Sequence, residues 1–393
     1  MATIIASILD NDLYKFSMGY GYMKLYPDAE GTFQFKDREN RQYNPYTVGK
    51  IKEAIEDLSK LRLTDEEFKW AVAHIPYIPQ VYWEWLKGFR YDPSKVTVST
   101  DEEGHLHIEV TDKLYKSTLY EVPILAIVSH MSNMAYSVYM PEVVAKLNKK
   151  IELSNENALI FSDFGTRRRF NYDVHDTVVR TLKNNALYCT GTSNVHFAMK
   201  YDMKPIGTVA HEWVMFHGAN NGFRNANYEA YEAWVKVYDG ALGIALTDTY
   251  KTDAFLNNFS KKLAKLFDGV RHDSGDEFVF VDKVIARYKE LGINPMLKTI
   301  VFSNALTFPK FKTIADYCKD RIGTCCAGIG TNLTNDTGFK PSNIVMKLSS
   351  CRMNANQRFV PCIKISDDEG KVMGDENELR AANIELNLNI EGM

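Results

Sequence analysis

The chain has 393 residues, 45% of them hydrophobic and 25% charged, with a formal net charge of -3. That is the balance of an ordinary globular protein with ample core, long enough for two or three domains or for one barrel with a companion. No overall basic field points to nucleic acid or a membrane surface, so anionic ligands must be met by local clusters. The opening MATIIASILDND lacks the basic leader and length of a signal peptide, and no run approaches the roughly 20 apolar residues of a spanning helix. Cys189, Cys318, Cys325, Cys326, Cys351 and Cys362 show neither a CxxC pair nor zinc spacing, which predicts reduced thiols in a cytoplasmic protein.

The first 125 or so residues mix element types. DNDLYKFSMGYGYMKLYP reads as a helix opened by an Asp/Asn cap and closed by a proline. GTFQFKDR alternates like a strand, whereas VGKIKEAIEDLSKL and DEEFKWAVAHI carry helical three-to-four spacing. KVTVSTDEEGHLHIEVTD is two alternating runs around a glycine-ended turn, a hairpin signal. This block reads as an α+β domain over residues 1–125, completed by 345–393, with residues 126–344 as a second domain.

From about residue 158 the pattern turns regular. ALIFSDFGTRRR, ALYCTGTSN, PIGTVAHEW, ALGIALTDTY, GVRHDSGD, KTIVFSNAL and RIGTCCAGIGTN are short apolar runs that each end in a polar or Gly-rich cluster. Helical stretches such as NANYEAYEAWVKVYD and DAFLNNFSKKLAKLF separate them. Such repeats predict parallel strands with right-handed crossovers. An open doubly wound sheet would gather function at one switch point, whereas here the clusters lie at every strand end, as on the rim of a β/α barrel. The fold class predicted is α/β, an irregular β/α barrel with an additional α+β domain like an open-faced sandwich. PSNIVMKL reads as a strand returning the chain to that domain.

Each cluster has a bland reading and a chemical one. Arg167, Arg168 and Arg169 open what reads as a helix, where the macrodipole disfavours cations, so a bound anion would justify them; ion pairs are the ordinary account and suit at least one. Phe164 is by default a core aromatic, but flanked by polar residues it suits stacking on a flat ring. Gly191 to Asn194, including Ser193, is by itself a helix cap. His211 follows Thr208 at a strand end beside Glu212, with Asp248 at the next strand end; a histidine oriented by a carboxylate acts as base or nucleophile. No HExxH occurs, and the protein alone offers no metal set. Arg271, Asp273 and Ser274 crowd one turn, dense enough for anion or sugar binding. Gly328, Gly330 and Thr331 make a Gly-x-Gly turn able to bring N–H groups near a phosphate, a common pattern when alone.

In order along the chain, DLYKFSMGYGY, FQFKDR, YEVPILAI, DFGTRRR, GTSN, GTVAHEW, TDTY, RHDSGD, GIGTN and NIVMKL together resemble the nicotinate phosphoribosyltransferase family of type II phosphoribosyltransferases. The resemblance implies a β/α barrel with an α/β companion and a homodimer with shared sites. It implies formation of nicotinate mononucleotide and pyrophosphate from nicotinate and phosphoribosyl pyrophosphate, the first step of NAD salvage from nicotinate. ATP is the implied co-substrate, Mg2+ the implied ion arriving with substrate, and small molecules the only implied ligands. By the same resemblance His211 is phosphorylated by ATP and Asp248 orients it. Tyr14 reaches the neighbouring subunit's site and stacks opposite Phe164, while Arg167, Thr208 and Arg271 surround nicotinate. Asp273 and Ser274 contact ribose and pyrophosphate, and Gly328, Gly330 and Thr331 cradle the 5-phosphate. The Ser303–Asn304 turn departs from the family's usual Ser-Gly form. Nicotinamide phosphoribosyltransferases carry Asp where Ser193 stands; serine removes a like charge facing a carboxylate, which favours the acid substrate. The competing readings are a nicotinamide or quinolinate phosphoribosyltransferase and a non-catalytic barrel-fold binding protein.

Overall fold

The computed structural model describes residues 3–368 and 371–388. Its strands, in chain order, are β1 (Glu30–Asp37), β2 (Val96–Thr100), β3 (Leu106–Lys113), β4 (Phe161–Asp163), β5 (Cys189–Thr192), β6 (Ile244–Leu246), β7 (Gly269–His272), β8 (Thr299–Phe302), β9 (Thr324–Ile329), β10 (Ile344–Arg352) and β11 (Val360–Pro361). Among the described residues they form an antiparallel sheet ordered β11-β10-β1-β3-β2 and a parallel sheet ordered β5-β4-β9-β8-β7-β6.

In the antiparallel sheet the side chains alternate as the sequence does. Phe33 and Phe35 of β1 and Ile344, Met346 and Leu348 of β10 are buried, while Gln34 and Lys36 are exposed. A period of two turns one face of a sheet to the core and leaves the other open. The buried helix Glu121–Asn133, apolar on nearly every side, packs against β10 and the helix Pro45–Asp57. The helix Asp65–His74 starts at a full capping box, Thr64 with Glu67, which satisfies two otherwise orphaned N–H groups. The predicted hairpin is β2 with β3, and PSNIVMKL is β10, antiparallel to β1.

Six of the seven apolar runs of the second half form the parallel strands. The seventh, PIGTVAHEW, does not: Pro205 has no N–H to give a ladder, and the segment runs extended between the sheet's two edges. Ile206 N donates to Thr192 O at 2.9 Å, and Thr208 Oγ1 donates to Ile244 O at 3.1 Å, so this segment bridges β5 to β6. The barrel is closed there by few hydrogen bonds, hence its irregularity. DFGTRRR also departs from expectation, because Thr166–Arg168 is a 3-10 turn and the helix proper, Tyr172–Asn185, starts at an Asn171 cap. The predicted helix DAFLNNFSKKLAKLF is two, Thr252–Asn258 and Lys261–Leu266, because the Ser260 side chain accepts from Leu263 N and starts a new helix.

Beyond β11 the chain leaves the antiparallel sheet and straps across the barrel rim. Ile365 N donates to Thr249 O at 2.8 Å, and the Asp367 carboxylate accepts from Thr252 N and Oγ1 at 3.1 and 2.6 Å. The helix Glu376–Leu386 is tied down by Glu385, which accepts from Phe223 N at 2.7 Å. No described helix is long and apolar enough to cross a membrane. All six cysteines are free thiols.

Candidate active site

A cavity of about 940 Å³ opens at the C-terminal ends of the parallel strands and extends between them. Alternate residues of β8 and β9 and of their outgoing loops, Thr299, Val301 and Ser303, then Thr324, Cys326 and Gly328, face it, as period two requires. Tyr14, Phe164, Arg167, Ser193, Thr208, His211, Arg271, Asp273, Gly328, Gly330 and Thr331 all line this one space. Residues from six of the seven strand-end clusters and from the opening helix thus converge, the cluster after β6 contributing none.

At one end stands His211, the first residue of the helix His211–Asn221. Its Nε2 lies 3.1 Å from Asp273 Oδ2, 3.6 Å from Asp248 Oδ1 and 3.0 Å from Lys364 Nζ, while Nδ1 lies 3.1 Å from Thr249 Oγ1. Burial and the Lys364 ammonium push the imidazole's pKa down to about 4 against the pull of both carboxylates, so the ring is neutral at physiological pH. Burial alone would raise the Asp273 carboxyl, but the His211 contact and Arg271 outweigh it and hold it well below the ordinary range. The His211, Asp248 and Asp273 ligand atoms lie within 4.8 Å of one another, a spacing open to a cation. Lys364 Nζ, 3.1 Å from Asp248 Oδ2, already brings positive charge there.

At the other end are the aromatic rings and the arginines. A Cβ on Gly328 would lie 2.2 Å from the Phe164 ring, so the glycine is required for that ring to lie on β9. The Arg167 guanidinium sits 5.9 Å from the centroid of the Tyr14 ring and donates to Glu121 Oε1 at 3.2 Å. Of its two neighbours, Arg168 faces the cavity, and Arg169 is buried in a bidentate pair with Asp10 at 2.8 Å for each bond. Two of the three arginines thus make the ion pairs that the ordinary account expects, and of those two Arg167 still faces the cavity.

Three placements, those of Tyr14, Ser274 and Asp12, depart from the sequence reading. Tyr14, expected to reach a neighbouring subunit, lines the cavity of its own chain, because the opening helix Leu13–Leu25 packs beside the barrel mouth of the same molecule. Ser274, expected at the sugar phosphate, is 1% exposed and instead donates to Asp248 Oδ2 at 2.7 Å. Asp248 itself is buried behind His211 and does not face the cavity. Asp12 takes the N-cap position of the opening helix, but its side chain caps nothing; it accepts from Ser193 Oγ at 2.7 Å, so a carboxylate does stand in that corner.

Sequence reasoning passed over Lys364, Arg38 and Lys347, and named Arg168 only as one of the arginine run. Burial, with Lys364 and Arg38 nearby, pushes the Lys347 ammonium down to about 7, and burial with Arg167 pushes Arg168 down to about 10. Cations so crowded gain from an anion among them. Arg38 and Lys347 stand inside FQFKDR and NIVMKL, so the strings were visible; what was missing was the pairing of β1 with β10 that brings Arg38 near Lys347, which lines the cavity. Lys364 had no local signal, since only the strap after β11 brings it to His211.

Comparison with known proteins agrees with this geometry. The model of the nicotinate phosphoribosyltransferase (NAPRTase) family matches residues 159–390, and that of its N-terminal domain matches residues 9–129. The chain is 41% identical to a nicotinate phosphoribosyltransferase of Methanosarcina acetivorans, over 97% of this chain and 98% of that one. It is 42% identical to one of Chromohalobacter salexigens, over 96% and 97%. The crystal structure of a nicotinate phosphoribosyltransferase from Porphyromonas gingivalis superposes with a TM-score of 0.96 at 45% identity, covering 98% of this chain and all of that one. One from Vibrio cholerae gives 0.92 at 33% identity, covering 99% and 95%.

Proposed function

Since the chain belongs to the nicotinate phosphoribosyltransferase family, we propose that it joins nicotinate to the ribose 5-phosphate of phosphoribosyl pyrophosphate, releases pyrophosphate, and consumes ATP through a phosphohistidine at 211. The observation that carries this reading is that a neutral imidazole, two arginines, a carboxylate and a glycine turn line one cavity. The reaction is the entry of nicotinate into NAD synthesis.

Two carboxylates and the Lys364 ammonium hold Nε2 of His211, and the neutral imidazole keeps one nitrogen lone pair as nucleophile. That nitrogen attacks the γ-phosphorus of ATP, ADP leaves, and later hydrolysis returns the imidazole and inorganic phosphate. Asp248 keeps the ring in register from behind, and Lys364 offsets the charge of the phosphorylated ring. Nicotinate lies between Tyr14 and Phe164, its carboxylate met by Arg167 and Arg271 and its edge by Thr208. Ser193 donates to Asp12, so its hydroxyl screens that buried charge from the substrate, and the arginines decide for the acid over the amide.

Loss of pyrophosphate from C1 leaves positive charge on the sugar, which Asp273 is placed to stabilise. Mg2+ arriving with phosphoribosyl pyrophosphate would lie against Asp273, a carboxylate facing the cavity, and neutralise the leaving group. Arg38, Arg168 and Lys347 meet the diphosphate, and Gly328, Gly330 and Thr331 meet the 5-phosphate. A homodimer remains the expected assembly, each chain supplying its own Tyr14; light scattering on the eluting protein tests it.

The decisive experiment incubates the protein with γ-labelled ATP and then with both substrates. Acid-labile label on the wild type, none on His211→Ala, and nicotinate mononucleotide as product are expected. Label that persists on His211→Ala would overturn the phosphohistidine, and absence of product would overturn the transferase.

A further inference from the structure

His211 and Glu212 are neighbours in sequence, yet their side chains belong to opposite ends of the cavity. Consecutive residues of a helix point about 100° apart, and Glu212 turns away from the imidazole to a buried lysine. Lys15 Nζ binds both Glu212 Oε2 and, at 2.5 Å, Glu121 Oε2. The second oxygen of Glu212 accepts from Thr118 Oγ1 at 2.5 Å, and the second oxygen of Glu121 accepts from Arg167 Nη1 at 3.2 Å. The side chains of Lys15, Glu121 and Glu212 are 0%, 7% and 5% exposed. Two cations and two anions therefore close on themselves, with every carboxylate oxygen used.

The three buried members stand at three helix starts. Lys15 is the third residue of Leu13–Leu25, Glu121 the first of Glu121–Asn133 and Glu212 the second of His211–Asn221. Their chain neighbours or partners are the residues assigned to nicotinate: Tyr14 precedes Lys15, and Arg167 is the free arm of the set, facing the cavity. Glu121 touches two cations, which hold its carboxyl low despite burial; Glu212 touches one, and burial leaves its carboxyl raised.

We propose that Glu212, through Lys15 and Glu121, is a positioning residue for the nicotinate end of the site and takes no part in phosphorylating His211. The inference rests on the assignment of Arg167 and Tyr14 to nicotinate. Without the charge at 212, Lys15 moves onto Glu121, Glu121 loosens its hold on Arg167, and the guanidinium that meets the substrate carboxylate loses its fixed place.

The test compares Glu212→Gln, Glu121→Gln and the double variant in the full chain. Each is read for nicotinate KM, kcat, acid-labile label per chain and melting temperature. Each single variant is expected to raise nicotinate KM about tenfold with label unchanged, and the double to raise it little further, because linked residues are not additive. Loss of label in step with turnover in Glu212→Gln would assign Glu212 to His211 and overturn the proposal, as would an unchanged KM or an additive double. Should Glu212→Gln not fold, Thr118→Val, which removes only the hydroxyl held by Glu212, carries the same expectation at smaller size and the same refutation. A wild type that takes no label refutes the phosphohistidine instead, and the KM arm still decides this inference.

Discussion

Two buried lysines stand behind the cavity wall, Lys15 between two carboxylates and Lys364 against one, and they are built differently. Lys15 binds Glu121 and Glu212, and those acids also hold Arg167 and Thr118, so no group is left over. Lys364 binds Asp248 and touches the His211 ring, but Asp248 Oδ1 is buried with no hydrogen-bond partner, 3.6 Å from Nε2. Burying charge costs several kcal/mol unless its partners are complete. The closed set is therefore scaffold, and the open set holds its ring ready for a further anion. Charge density alone would not have separated them; the count of unmet bonds does.

The largest effect expected is in the open set. Lys364→Met should lower turnover about 10²-fold, as for loss of one preorganised donor, and change the pH response of labelling. In the wild type the imidazole is neutral above about pH 4, so the rate of label uptake should be flat from pH 8 to 5.5. Without the ammonium, Asp248 and Asp273 raise the ring's pKa, imidazolium forms below neutrality, and labelling should fall as pH drops through 7 to 6. Quench-flow labelling across that range checks it; a flat profile in the variant would mean that Lys364 does not control the ring.

Lys15→Met tests the scaffold half. It strands two buried carboxylates, so stability should fall by about 3–5 kcal/mol in urea unfolding, whereas Lys364→Met should cost clearly less. Equal losses would break the comparison. The smallest effect falls on Ser303, whose hydroxyl donates to Asp273 Oδ1 at 2.8 Å. Ser303→Ala should slow turnover about tenfold, as for loss of an orienting partner, with a change in stability under about 0.5 kcal/mol. A stability loss larger than the kinetic one would move Ser303 to the scaffold side.

The strand-end clusters were legible because barrel strands deliver side chains to one rim, and a period of two with polar ends is a local pattern. His211, Arg271 and Asp273 were found that way. Pro205 was legible too, and its missing N–H should have demoted PIGTVAHEW from a strand. Ser274 was placed a layer too far forward, because sequence spacing says which loop a residue is on but not which way its side chain turns. Glu212 beside His211 misled for the same reason. Lys364 and the Asp12–Ser193 contact depend on segments 153 and 181 residues apart in the chain, beyond any local pattern.

The strap that follows β11 has a consequence for how the molecule comes into being. Synthesis must run through residue 364 before the imidazole meets its ammonium. A nascent barrel, though its strands can already pair, therefore lacks the charge that sets its histidine until its own late segment folds back across the rim.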